Sequence, residues 1–296
     1  MDHRTIDLNG PVHYVDFGGS GQTVVLVHGL GGATVNWGAS APHLAEHAHV
    51  LAVDLAGFGR TPRAGRSSSI DGNRHLLDTF LEKVVGEPAV VAGNSMGGLI
   101  SLLEAAESPD RVAALVLVDP ALPAWVDALD PVVVQLFAAY AMPGVGEALL
   151  DSMRDQDPRQ LVDYMLALTC ADPSTLPAQV VEDHVEFARE YTHGADARDG
   201  FLEGARNIIE VLYQPERVRE AIQSVSAPTL LIHGELDRLV PLVAAQTVAS
   251  MRPDWTFEPL PGIGHVPMME DPEGFVRIVA TWLDRIGAPA AARSAG

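Results

Sequence analysis

The sequence predicts an α/β protein: a mostly parallel sheet flanked by helices, with a helical segment inserted late in the chain. Three observations carry this. Short apolar runs alternate with segments of helical length through the first 120 residues, which is the rhythm of βαβ units. From Ala121 to Tyr213 there is no comparable β-branched run, only helical segments interrupted by Pro123, Pro131, Pro143, Pro158, Pro173 and Pro177. The α/β rhythm then returns and continues towards the C-terminus.

Taken in order, the Asn9-Gly10 turn signal introduces a strand over 12–17, and 23–28 is a short apolar run of the kind buried on both faces of a parallel sheet. Further strands are expected at 50–54, 89–94 and 112–119, with helices over 34–47, 70–86 and 96–107. Beyond the insertion come a strand at 229–233, a helix from Pro241, a strand at 256–260, and a last helix opened by Asp271-Pro272-Glu273. Aspartate as N-cap followed by proline is a strong helix start. The tail 288–296, small and proline-containing, is expected to fray. The predicted organisation is a core of residues 1–120 and 214–296 and a helical insertion over 121–213.

Composition narrows the function. With 47% hydrophobic residues in 296, the chain can bury one large core. Nineteen basic residues against 39 acidic ones leave a formal charge of −20. Nucleic acid and anionic membranes bind through clustered cations, so neither is an expected partner, and a small-molecule substrate is. No apolar run approaches the roughly 18 residues a membrane span needs, and the N-terminus has no apolar stretch of the signal-peptide kind. The only lysine, Lys83, has no glycine-rich phosphate loop before it. Cys170 is the sole cysteine and can form neither an intrachain disulfide nor a Cys-x-x-Cys centre. A cytoplasmic protein without metal or cofactor is the expectation.

The sharpest chemical signal is Gly93-Asn94-Ser95-Met96-Gly97-Gly98, where a predicted strand meets a predicted helix. Gly-x-Ser-x-Gly is informative in this strand–turn–helix setting. A turn that sharp leaves no room for side chains two positions either side of the serine, and it directs the hydroxyl outward at a helix N-terminus. Alone, the segment also fits a glycine-rich helix cap. A serine nucleophile needs a base and a group to orient the base. Gly262-Ile263-Gly264-His265 offers a histidine in a loop before the final helix, and Gly234-Glu235-Leu236-Asp237 an acid beyond the preceding strand. Singly, His265 reads as a loop histidine and Asp237 as a turn aspartate; together with Ser95 they read as catalytic. The small residues of His28-Gly29-Leu30-Gly31-Gly32 would let backbone N–H groups face a cavity, and those of Leu30 and Met96 could form an oxyanion hole.

On four motifs in order, the chain resembles an α/β-hydrolase-fold protein with a helical cap. They are His28-Gly-Leu-Gly-Gly32, Asp54-Leu-Ala-Gly-Phe-Gly-Arg-Thr-Pro62, Gly93-Asn-Ser-Met-Gly-Gly98, and His233-Gly-Glu-Leu-Asp237 paired with Gly264-His265. The resemblance implies a mostly parallel eight-stranded sheet, Ser95 as nucleophile, His265 as general base, Asp237 as its orienting acid, and Leu30 and Met96 as oxyanion donors. It also implies that 54–62 is a structural turn and that 121–213 covers the site. The motifs do not specify the substrate. A negative surface that does not draw highly anionic substrates and an apolar cap suited to apolar acyl or alcohol groups make hydrolysis of carboxylic esters of small-to-medium apolar substrates, through an acyl-enzyme on Ser95, the expected function.

Several features compete with this reading. Asn94 beside the serine resembles the carbon–carbon bond hydrolases of dienoic ring-cleavage products, whereas Val266 stands where that family usually has tryptophan. Arg189, Arg198 and Arg206 could clamp a carboxylate, or lie on solvated helix faces. A serine at 95 excludes the dehalogenases and epoxide hydrolases of the fold, which need aspartate there. A slow-turnover ligand receptor of the same fold would keep the same residues. Asp119, after the preceding strand, is the alternative acid. His43-Leu-Ala-Glu-His47 matches a zinc-peptidase pattern without a third ligand and reads as a polar helix face. Cys170 reads as a buried inert thiol and Glu270 as a loop or first-turn acid. Trp125, Phe137, Tyr140, Tyr164, Met142, Met153 and Met165 read first as core, some of them also lining a pocket.

Overall fold

The computed structural model describes residues 1–124, 128–191 and 195–287; Trp125 and the tail from 288 lie outside these. Eight strands form one sheet: β1 (Asp2–Asp7), β2 (Pro11–Gly18), β3 (Thr23–Val27), β4 (His49–Val53), β5 (Ala89–Asn94), β6 (Val112–Val118), β7 (Thr229–Gly234) and β8 (Thr256–Leu260), in the order β1-β2-β4-β3-β5-β6-β7-β8. The first two pairings, β1 with β2 and β2 with β4, are antiparallel, and all later ones are parallel. The chain steps outward from β3 to β4 and then back across β3 to β5. Such a reversal opens a crevice beyond the carboxyl ends of the two central strands, and the segments leaving those ends carry His28–Gly32 and Ser95.

Both faces of the central strands are buried, which is why the strands read as unbroken apolar runs. Alternate residues serve different cores. Val25, Val27, Val91, Leu115, Leu117 and Leu231 pack with Leu77, Phe80, Leu99 and Ala245. Val24, Leu26, Val90, Val116, Leu230 and Ile232 pack with Trp37, Leu44, Phe275 and Val279. The first core holds α2 (Ile70–Phe80), α3 (Met96–Glu107), α9 (Pro215–Ser224) and α10 (Leu242–Met251); the second holds α1 (Ala41–Leu44) and α12 (Pro272–Ile286). Caps fix several starts: Ser69 accepts the Gly72 N–H and Asp271 the Gly274 N–H, as Asp-Pro at 271 predicts.

Between β6 and β7 the described residues form α4 (Pro131–Ala141), α5 (Val145–Met153), α6 (Pro158–Thr169), α7 (Ala178–Tyr191) and α8 (Ala195–Leu212), followed by α9. Pro131 and Pro158 open helices here, each behind an aspartate, Asp130 and Asp157, whose carboxylate accepts a first-turn N–H. The inserted helices fall into two groups. Val162 and Leu166 of α6 and Val185 and Ala188 of α7 join the core of Trp37, Met268 and Phe275. Tyr140 of α4 and Leu202 and Ala205 of α8 form a separate cluster with Leu149 and Leu150 of α5 packed on it. No single described helix is long and apolar enough to cross a membrane.

Three elements differ from the sequence reading. The expected helix over 34–47 is a 3-10 turn, Thr34–Trp37, and a single α turn, Ala41–Leu44. His43 and His47 therefore do not share a helix. The helix expected over 70–86 ends at Phe80 in a wider π turn, Leu81–Val85, closed by Gly86 at φ 74°. The edge strand β1 has no apolar pattern to announce it.

Candidate active site

Strand β5 ends at Asn94 and α3 begins at Met96, so Ser95 alone makes the turn, at φ 55° and ψ −118°. A positive φ at a non-glycine residue costs about 1–3 kcal/mol and persists only where its surroundings enforce it. They do so here by close approach. A Cβ on Gly93 would lie 2.3 Å from the Gly97 carbonyl oxygen, and one on Gly97 2.4 Å from those of Val27 and His28. The Ser95 N–H donates to Val118 (3.0 Å), and its carbonyl accepts from Leu99 (3.1 Å) and Ala121 (3.0 Å). The turn thus ties β5, β6 and α3 together at one residue.

The loop after β3 is fixed by His28, which is fully buried. Its Nδ1 lies 2.8 Å from the Gly29 carbonyl, and its Nε2 accepts the Leu55 N–H at 3.0 Å. That assignment makes the ring neutral, in line with burial lowering its pKa. Asp54 in turn accepts the N–H groups of Thr34 and Arg60 and a hydrogen bond from His13. The 54–62 segment is therefore a structural turn holding the Leu30 loop, and Leu30 lines the same cavity as Ser95.

The third side comes from β7 and β8. His265 Nδ1 stands 2.7 Å from Asp237 Oδ2, with both groups buried. Asp237 Oδ1 accepts the N–H groups of Leu239 (2.8 Å) and Val240 (3.0 Å). Burial by itself would raise the Asp237 carboxyl, but the adjoining His265, followed by His233 and the Val240 N–H, holds it below the ordinary value. A carboxylate on Nδ1 fixes the tautomer and leaves Nε2 with the ring's lone pair.

Asp119 lies in the same cluster but does a different job. Its Oδ1 accepts the Gly234 N–H at 2.8 Å. Burial and then the neighbouring Asp237 charge push its carboxyl well above the usual range. One oxygen or nitrogen atom each from Asp119, Asp237 and His265 lie within 4.8 Å of one another. Their chemistry does not fit a metal site, because His265 Nδ1 and Asp237 Oδ2 are engaged with each other and Asp119 Oδ1 with the Gly234 N–H.

Ser95 and His265 both line a cavity of about 750 Å³. Its remaining wall is almost wholly apolar, with Leu122, Val133, Phe137, Met165, Phe201 and Ile208 among the side chains. Phe137, Tyr140, Met142 and Met165 line it as expected; Tyr164, Met142 and Met165 are also substantially exposed, and Met153 lies outside it. No lysine, arginine, aspartate or glutamate occurs among the described lining residues. Arg198 pairs with Asp151 and Asp199, Arg206 with Glu147 and the Tyr140 carbonyl, and Arg189 is exposed. None of the three lines the cavity; Arg189 lies on a solvated face as read, whereas Arg198 and Arg206 are half-buried in ion pairs.

Two residues of the site escape a sequence reading. Asn94 donates its amide to the carbonyls of Val118 (3.1 Å) and His265 (3.0 Å), so it fastens the histidine loop to the serine turn. Glu270, expected as an ordinary loop acid, accepts N–H groups from both sides of His265. Its signal was the single turn Pro267–Glu270, cut short by Asp271-Pro272, directly after the histidine.

Residues 22–272 match the alpha/beta hydrolase fold family. The chain belongs to that family. Among its relatives, 2-hydroxy-6-oxo-6-(2'-aminophenyl)hexa-2,4-dienoic acid hydrolase of Metapseudomonas resinovorans is 30% identical over 274 residues, covering 90% of this chain and 86% of the relative. Pimeloyl-[acyl-carrier protein] methyl ester esterase of Yersinia enterocolitica is 27% identical over 267 residues, covering 86% and 91%. The dihydrolipoyllysine-residue acetyltransferase component of the acetoin cleaving system of Pseudomonas putida is 29% identical over 269 residues; this α/β hydrolase spans 64% of that relative's length.

Cys170 at the end of α6 is buried, and burial, followed by the Glu270 charge, pushes its thiol up to about 12. The folded enzyme should therefore leave Cys170 unlabelled by a thiol reagent at pH 8 and label fully in denaturant, as read by intact mass.

Proposed function

We propose that this α/β hydrolase is a serine esterase, with Ser95 as nucleophile, His265 as base and Asp237 as the acid that orients it. The observation that carries the reading is the buried 2.7 Å contact of His265 Nδ1 with Asp237, in a cavity whose wall also includes Ser95. Ser95 Oγ attacks the ester carbonyl while His265 Nε2 takes its proton. The tetrahedral oxyanion is held by the N–H of Leu30 and that of Met96, which as the first residue of α3 has no acceptor one turn back. His265 then returns the proton to the leaving alkoxide, the alcohol departs, and an acyl group remains on Ser95. Water repeats the cycle from the other side, giving up its proton to His265 and releasing the acid.

The helices α4 to α8 act as a cap over Ser95, and their apolar wall selects neutral acyl or alcohol groups of small to medium size. A second reading, carbon–carbon hydrolysis of a dienoate, is favoured by the identity with the Metapseudomonas hydrolase. A dienoate brings a carboxylate, which needs a cationic or hydrogen-bonding anchor. The arginines of α7 and α8 are committed elsewhere or exposed, and Asn94 has a backbone task of its own. The ester reading is preferred because no lysine or arginine lines the described wall, and His184, the one other imidazole there besides His265, has its pKa lowered by burial, so it offers a hydrogen bond rather than a charge to a carboxylate.

The p-nitrophenyl esters of graded chain length should be hydrolysed, and Ser95→Ala should lose about 10⁶ in kcat, as removal of a triad serine does. In the same preparation kcat/KM for a neutral ester should exceed that for a dienoic ring-cleavage product. A hundredfold preference for the dienoate, about 2.7 kcal/mol, would overturn the ester assignment.

The two aspartates should separate cleanly. Asp237→Asn leaves His265 in the wrong tautomer and should cost about 10⁴ in kcat. Asp119→Asn keeps an oxygen for the Gly234 N–H and leaves the His265–Asp237 contact untouched, so it should cost less than about tenfold. Steady-state kinetics of both variants give the ranking.

A further inference from the structure

All three N–H groups of the run 264–266 are spoken for, and the partners are informative. Glu270 closes the short helix α11 (Pro267–Glu270) and turns its carboxylate back on the loop it has just left. Oε1 accepts from Gly264 at 3.0 Å and Val266 at 3.3 Å, and Oε2 from Gly264 at 3.1 Å. The same Oε2 accepts a third N–H at 2.7 Å, from Ala171, which lies just beyond the end of α6 in the inserted helices. The N–H of His265 itself donates across the same gap, to the Thr169 carbonyl at 2.7 Å. The two segments touch backbone to backbone: a Cβ on Gly264 would lie 2.6 Å from both the Ala171 nitrogen and the Thr169 oxygen.

We propose that Glu270 is a positioning residue that fastens residues 169–171 of the cap to the His265 loop, so that the seating of α6 sets the position of the imidazole. The proposal rests on the reading of His265 as the base. A carboxylate is the group this place requires. It has no hydrogen to donate, it offers two oxygens to three convergent N–H groups, and charge-assisted bonds of this kind are stronger than neutral ones. The carbonyl of His265 is held from the opposite side by Asn94. The histidine backbone is therefore clamped between the serine turn and the cap, and its ring is left to Asp237. Loss of the carboxylate frees two N–H groups of the loop and one of the cap together. The reaction geometry should loosen without loss of the apolar wall that binds substrate.

The test compares wild type with Glu270→Gln, which preserves shape and one acceptor, and Glu270→Ala, using a p-nitrophenyl ester and amide hydrogen exchange resolved to peptides. Misplacement of a catalytic group by about 1 Å can cost up to about a hundredfold. Glu270→Ala should lose tenfold to a hundredfold in kcat with KM changed less than threefold, and Glu270→Gln should recover part of the loss. Exchange should quicken in both variants at 169–171 and at 264–266 together, with the sheet unchanged. The proposal is overturned if both variants keep wild-type kcat, or if exchange quickens in one segment alone. Should Glu270→Ala fail to fold, Glu270→Gln decides by the same two measurements. Failure of the underlying reading looks different: His265→Ala would retain turnover, while the paired change in exchange on altering Glu270 would stand or fall independently.

Discussion

A serine held at φ 55° exists only where the chain on every side refuses it a more comfortable conformation, and most of this fold can be understood as that refusal. The register of the central sheet sets Val27 of β3 beside Gly93 of β5, and Asn94 beside Val118 of β6. Strand β3 thereby brings its last carbonyls against Gly97, and β6 offers Val118 to both the Ser95 N–H and the Asn94 amide. Any side chain at 93 or 97 would separate the strand ends from α3. The crossing of the chain from β4 to β5 leaves a crevice at the place where this strained residue emerges.

Around that point charge is distributed unevenly. The chain carries a formal −20, yet no aspartate, glutamate, lysine or arginine lines the described wall of the cavity. Acidic residues outside it include those in ion pairs of the helices between β6 and β7, such as Asp151 with Arg198 and Glu147 with Arg206. Inside the crevice most polar groups have a backbone or side-chain partner, Asn94 on two carbonyls, Asp237 on two N–H groups and a ring, Asp119 Oδ1 on Gly234, whereas Asp119 Oδ2 and His184 Nε2 have none. Low dielectric makes such groups costly when unpaired and well ordered when paired. Burial and the adjoining Asp237 raise the Asp119 carboxyl, which disfavours two carboxylate charges side by side.

The sequence made the parallel strands and the serine turn legible because each is governed by short-range constraints. Buried strands need apolar runs, and a turn with no room for a Cβ needs glycine. What it concealed depends on distant partners. Strand β1 consists of Asp2, His3, Arg4, Thr5, Ile6 and Asp7, mostly exposed at the sheet edge, with β2 as its neighbour in the sheet. The apolar spacing of Trp37, Ala41 and Leu44 imitates a helix. Gly38 and Pro42 interrupt it, and Trp37 is drawn instead against Phe275 of the final helix. The work of Glu270 was invisible for a related reason: its third donor, Ala171, is 99 residues away in sequence.

The central claim is that the strained serine is the nucleophile of the site, and the most direct measurement is covalent capture by a fluorophosphonate followed by peptide mass analysis. A phosphonyl group bonds to whichever hydroxyl the enzyme activates, and its place can be read without knowing the natural substrate. The account predicts one adduct per chain, on the peptide carrying Ser95, and none after His265→Ala. An adduct on another residue, or undiminished labelling of Ser95 in that variant, would contradict it.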